Sequence, residues 1–168
     1  MNKKKVLGTF GVHGQWHFSC RDASGKIKWE YNIPNVVTAE GLDHILNTEF
    51  HNTANVPTWY IGLKHPGTVS ANDTLASHAN WTECANYTGN RKVFVEDGAS
   101  SGSISNANNK ASFSINANNQ TISGGFLCSA ETGTSGVLFS TVDFLGGNKL
   151  CDNGDTLDVT YSITANSV

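Results

Sequence analysis

The feature that most constrains this chain is an apolar period of two. Leu157, Val159, Tyr161 and Ile163 alternate with Asp158, Thr160, Ser162 and Thr164, as in a strand with one face in a core and the other in water. The pattern recurs. Trp16, Phe18 and Cys20 alternate with His17, Ser19 and Arg21, and Ile27, Trp29 and Tyr31 with Lys26, Lys28 and Glu30. Ala111, Phe113 and Ile115 alternate with Ser112, Ser114 and Asn116, and Val93–Val95, Val137–Phe139 and Val142–Leu145 add apolar runs. Turn residues at Asn108-Asn109, Asn118-Asn119, Gly146-Gly147-Asn148 and Asp152-Asn153-Gly154-Asp155 separate these segments at roughly the 8–12-residue spacing of a sandwich. Between Ile122 and Phe126, Gly124-Gly125 marks a bulge or a close backbone approach. The expected fold is mainly β, a jelly-roll-like antiparallel β-sandwich with an N-terminal hairpin. Asp22-Ala23-Ser24-Gly25 reads as that hairpin's type I turn, with Gly25 left-handed and Asp22 bonding its own turn backbone.

One helix interrupts the β pattern near 39–49. Thr38 is its expected N-cap, with Glu40 favourable in the first turn. Leu42, Ile45, Leu46 and Phe50 share one helical face, while Asp43, His44 and Asn47 fall on the other side. The densest apolar stretch follows, from Pro57 to Arg91. Trp59, Ile61 and Leu63 alternate with Tyr60 and Gly62, a Pro-, Gly-, Ser- and Asn-rich loop covers 64–80, and Trp81 and Tyr87 return to the core. A length of 168 residues fits one domain. Residues 1–13 read as an arm or edge strand, and 14–168 as a single sandwich. The expected core comprises Trp16, Trp29, Leu42, Trp59, Ile61, Trp81, Phe113, Phe126, Val159 and Tyr161.

Charged residues make up 15% of the chain and its net charge is −3, against about 25% charged in an average domain. Asn, Ser and Thr solubilise it instead, and such neutral groups cost less to desolvate at an interface than charges do. No basic stripe is present, so nucleic acid is not an expected partner. Lys3, Lys4 and Lys5 suggest a signal peptide, but Gly11, His13 and Gln15 interrupt the apolar run that must follow. With no apolar run of about 18 residues, neither a membrane nor a cleaved leader is expected, and synthesis is placed in the cytoplasm.

Cys20, Cys84, Cys128 and Cys151 are widely spaced, without a CxxC pair, and read as small buried hydrophobes. His13, His17, His65 and His78 have no carboxylates at metal-ligand spacing. The Asp152–Asp155 turn lacks the twelve-residue ligand spread of an EF-hand. Glu40, Asp43 and His44 read as a solvated helix face rather than an acid–base cluster. Ser77 with His78 and Asp73 lacks a nucleophile elbow. No catalytic residue, metal or cofactor is therefore expected, and the chain is not expected to be an enzyme. The Asn-x-Thr matches at Asn72, Asn80, Asn86 and Asn119 fit chance in so Asn- and Thr-rich a chain.

Taken in order, several segments resemble small virion proteins of tailed bacteriophages. They are Asn35-Val36-Val37-Thr38-Ala39-Glu40-Gly41-Leu42, Trp59-Tyr60-Ile61-Gly62-Leu63, Asp73-Thr74 with Ser77-His78, Trp81-Thr82-Glu83, Tyr87 and Arg91. Ser123-Gly124-Gly125-Phe126-Leu127 and Asn153-Gly154-Asp155-Thr156-Leu157-Asp158-Val159-Thr160-Tyr161 complete the set, which runs from about Gly14 to Ile163. The resemblance implies a capsid decoration or cement protein on the virion surface. It would bind the major capsid protein and further copies of itself, as a dimer or trimer. A tail, baseplate or fibre component is the alternative within a virus. A carbohydrate-binding module is the alternative outside it, and would display coplanar exposed tryptophans. Candidate partner contacts are Lys3, Lys4, Lys5 and Phe10 in the arm, His65, Asn72, Asp73 and His78 in the long loop, and Ser101 and Asn106 in the 97–110 loop.

Overall fold

The computed structural model describes residues 10–167. Thirteen strands and one helix follow in order: β1 (Phe10–Arg21), β2 (Ile27–Pro34), β3 (Val36–Val37), α1 (Ala39–Phe50), β4 (Tyr60–Lys64), β5 (Glu83–Cys84) and β6 (Lys92–Val93). Then come β7 (Ser103–Ser105), β8 (Ala111–Ser114), β9 (Gln120–Ile122), β10 (Gly124–Cys128), β11 (Leu138–Asp143), β12 (Lys149–Cys151) and β13 (Thr156–Ser167). All the strand pairings are antiparallel. One sheet runs β2-β1-β13-β7, with β8 also on β13; the other runs β3-β11-β10-β4-β5, with β6 also on β4. A short β12–β9 ribbon lies beside them.

The two sheets form an antiparallel β-sandwich. Trp16, Phe18 and Tyr161 of the first share a core with Ile61, Leu63, Leu127 and Val142 of the second. Trp16 stacks on Tyr161 at 4.1 Å between ring centroids, the closest aromatic pair at the centre. Aromatic burial of this kind dominates core energetics, at about 1.5–3 kcal/mol per fully buried large side chain. Gly125 on β10 lets the Phe18 ring lie against the backbone, and Gly62 on β4 does the same for Phe126. Gly124 lies as closely on the Val142 carbonyl, so the Gly124-Gly125 pair serves close approach, and the register of β10 with β11 shifts only later, between Leu127 and Cys128.

The first hairpin forms as its sequence dictates. Gly25 has a φ of 85°, the region that only glycine enters freely. Asp22 Oδ1 accepts from the Ser24 and Lys26 amides at 2.9 and 3.0 Å, and the β1–β2 register shifts between Cys20 and Arg21. Of residues 1–13, expected as an arm or edge strand, 10–13 belong to β1, which pairs with β13 from Phe10↔Ser167 to Arg21↔Thr156. Lys3, Lys4 and Lys5 lie outside the described residues.

Among the expected core residues, Trp16, Ile61, Trp81, Phe113, Phe126, Val159 and Tyr161 are buried, and Trp29 and Trp59 are half-buried against the core. Leu42 is not in the core; it lies on the outer side of α1. Its displacement follows from how the helix is seated.

Candidate interaction surface

Three contacts fix the rotation of α1 on the sandwich. Thr38 caps the helix, its Oγ1 accepting from the Gly41 amide at 3.0 Å while its hydroxyl donates to the Leu138 carbonyl. Glu40 Oε2 accepts from the amides of Leu75 and Leu138 at 3.0 and 2.6 Å, tying helix, loop and β11 together. Gly41 lies directly on Phe139 of β11, where any Cβ would overlap the backbone. With about 100° between successive helical residues, a helix seated through Gly41 presents His44, Ile45 and Thr48 inward. His44 meets the Trp59 ring edge-on at 5.3 Å, and Ile45 packs on the core.

Of the apolar face predicted to be buried, Ile45 alone turns inward and the rest is turned outward. Leu42 is 41% exposed, Leu46 54% and Phe50 83%, and Phe10 at the start of β1 is 69% exposed. Leu42 and Phe10 line one shallow groove together with Val12 and Val37. On the other flank of α1 a larger groove of about 600 Å³ is lined by Trp59, Val93, Val95, Ile104 and Ile163, with Glu49 and Glu96 among its charges. Apolar patches of this sort mark surfaces that meet another surface.

The 64–80 loop is not a free excursion. Leu75 and Trp81 are buried with Phe126, Cys128 and Leu138 in a second apolar cluster. Asp73 is buried and accepts from Trp81 Nε1 and from the Ser70 amide, both at 2.9 Å. It therefore holds the loop in place and does not offer its carboxylate to a partner. His78 stacks on Trp81 at 3.9 Å, and His65 Nδ1 lies 3.0 Å from the Thr121 carbonyl. Asn72 is exposed. In the 97–110 loop Ser101 is exposed, with a φ of 51°. Asn106 is fully buried: its Oδ1 accepts from the Tyr161 amide at 2.7 Å and its Nδ2 donates to Val159 O at 3.2 Å. An amide that pairs with both main-chain groups of a central strand belongs to the core, so Asn106 is corrected from contact to structure.

Two buried cations brace the second sheet. Lys64 Nζ reaches Asp143 Oδ1 at 2.7 Å, Ser123 Oγ at 2.8 Å and the Gly67 carbonyl at 2.9 Å. Arg91 grips both carboxylate oxygens of Glu83 at 2.8 and 2.7 Å and donates to the Ala130 and Gly133 carbonyls. All four tryptophans are occupied by packing. Trp16 and Trp81 are buried, and Trp29 and Trp59 set their rings edge-on to Phe144 and Phe139.

One cluster has no signal in the sequence spacing. Cys20 and Cys151, 131 residues apart, place their sulfurs 3.6 Å from each other, with Asp155 alongside. Alternation places Cys20 on the inward face of β1, but no such pattern marks Cys151, and only the packing of β12 on the hairpin brings them together. Among the described residues, no helix is long and apolar enough to cross a membrane. No protein-family model and no curated protein matches the chain.

Proposed function

We propose that the chain is a structural component of a tailed-bacteriophage virion, a decoration or cement protein on the outside of the shell. In this role it bridges neighbouring copies of the major capsid protein and contacts further copies of itself. The observation that carries the reading is the outward stripe of Leu42, Leu46 and Phe50 on a helix locked by Gly41 and Thr38. A helix anchored this firmly presents its apolar face as a fixed, ready-made contact. Surrounding loops of neutral amides and hydroxyls suit an interface, since they lose little on desolvation. Symmetry then repeats a modest contact over a shell, and multivalency makes it hold.

The test is to add the purified protein to capsids that lack it and to image them by electron microscopy. Density at regular positions between capsomers, lost with the Leu46→Glu/Phe50→Glu variant, is the expected result. Density confined to the tail would move the protein to the baseplate or fibre. Absence of density anywhere on the particle would sink the virion reading.

A further inference from the structure

The Cys20, Cys151 and Asp155 cluster lies apart from the outward surface. Cys20 sits on β1 where the hairpin register shifts, Cys151 ends β12, and Asp155 closes the turn that its amide makes to the Asp152 carbonyl at 3.0 Å. All three are buried. Cys20 Sγ is 3.6 Å from Cys151 Sγ and 3.8 Å from Asp155 Oδ2, and the three donor atoms lie within 4.8 Å of one another.

These separations suit a tetrahedral ion. Zinc–sulfur bonds of about 2.3 Å put two sulfurs about 3.8 Å apart, and a zinc–oxygen bond of about 2.1 Å puts sulfur and oxygen about 3.6 Å apart. A disulfide needs its sulfurs at about 2.05 Å, well inside the 3.6 Å between Cys20 and Cys151, whereas an ion takes the spacing as it stands. The Lys28 ammonium offsets part of the ligand charge: its Nζ is 2.6 Å from Asp155 Oδ2 and 3.1 Å from Oδ2 of Asp152, whose side chain is open to water. Thiolates and tetrahedral geometry together select zinc over hard cations.

We propose that Cys20, Cys151 and Asp155 form a binding site for a thiophilic divalent cation of the zinc class, with Lys28 as the charge-compensating neighbour. A solvent molecule completes the tetrahedron. Both cysteines are free, Cys20 Sγ donating toward Asp155 Oδ2 at 3.8 Å, and a thiol gives up its proton when it ligates a metal. Binding therefore forms two metal–sulfur bonds and releases two protons to solvent. It fastens β12 and the Asp152–Asp155 turn to β1, and this tie does not depend on the virion reading.

The probe is cobalt(II) added to the reduced full chain, followed by displacement with zinc(II). One equivalent should give the intense visible bands of tetrahedral cobalt and near-ultraviolet thiolate charge transfer, and zinc should bleach both. Zinc titration in weak buffer should release about two protons per chain. Cys20→Ser and Cys151→Ser should each lose more affinity than the ~10–100-fold typical of removing an outer-shell partner. Cys84→Ser and Cys128→Ser should keep the spectrum. Saturating cobalt without tetrahedral bands overturns the proposal, and so do bands that survive in Cys20→Ser and Cys151→Ser. A folded, reduced chain that releases no protons to zinc overturns it without recourse to any variant.

Discussion

Lys64 shows at the scale of one residue how this protein handles buried charge. Its side chain is fully enclosed, while that of Asp143 is partly open to water. Burial holds the Lys64 ammonium below the ordinary lysine range, against the pull of Asp143. Lys64→Met removes three hydrogen bonds and leaves the Gly67 carbonyl to find a new partner, while the Ser123 hydroxyl still donates to the His65 carbonyl. Because Asp143 can rehydrate, the expected loss is about 2–3 kcal/mol, under the ~3–5 kcal/mol of a wholly buried pair; urea denaturation at neutral pH measures it. Asp22 offers a pH test. The Ser24 hydroxyl and the Lys26 amide hold its carboxyl below the usual range. Its folded-state pKa is depressed, so its contribution is present above the unfolded value and fades as pH falls through the folded one. Carboxyl carbon shifts should show Asp22 titrating below a free aspartate, and Ser24→Ala should bring its midpoint up.

At the scale of elements, α1 separates seating from display. Thr38→Ala removes the cap and should cost about 1–2 kcal/mol. Gly41→Ala should cost more, because its Cβ meets the Phe139 backbone and not a yielding side chain. Leu46→Glu and Phe50→Glu should each shift stability by no more than about 0.5 kcal/mol, as exposed positions do. Thermal melts followed by circular dichroism give the order. If Phe50→Glu melted as early as Gly41→Ala, the outward face would be wrongly placed. The same helix marks where the sequence stops being legible. Its span, cap and periodicity are local properties and can be read directly, as can the hairpin and the alternation of β13. Its rotation is set by contacts from Gly41 and Glu40 to β11 and Leu75, far along the chain, so Leu42 reads as core and is not. Asn106 and Asp73 mislead for a related reason. An amide or carboxylate in a polar loop looks solvated until the main chain it pairs with is known. The Cys20–Cys151 approach, too, arises only from long-range packing.

For the whole molecule, the β1–β13 ladder joins the two ends of the described chain, and little is complete until it forms. Such non-local pairing favours slow, cooperative folding. The cysteines report on this, because all four are free and buried and lie on different elements. Cys20 on β1, Cys151 on β12 and Cys84 on β5 border one continuous core, while Cys128 on β10 belongs to the cluster beneath the 64–80 loop. A thiol reagent reaches them only through opening. In metal-free protein under native conditions, Cys20, Cys84 and Cys151 should be labelled at one common rate. That rate should rise with denaturant along the full slope of global unfolding. Cys128 should match them if Leu75 and Trp81 are as integral to the fold as their burial indicates. Peptide mapping of partly labelled protein separates the four sites. Early labelling of Cys128 alone would make the loop cluster an independently opening unit. Early labelling of Cys84 with Cys128 would mean that the second sheet can part from the first, and a rigid platform for the outward helix would be lost with it.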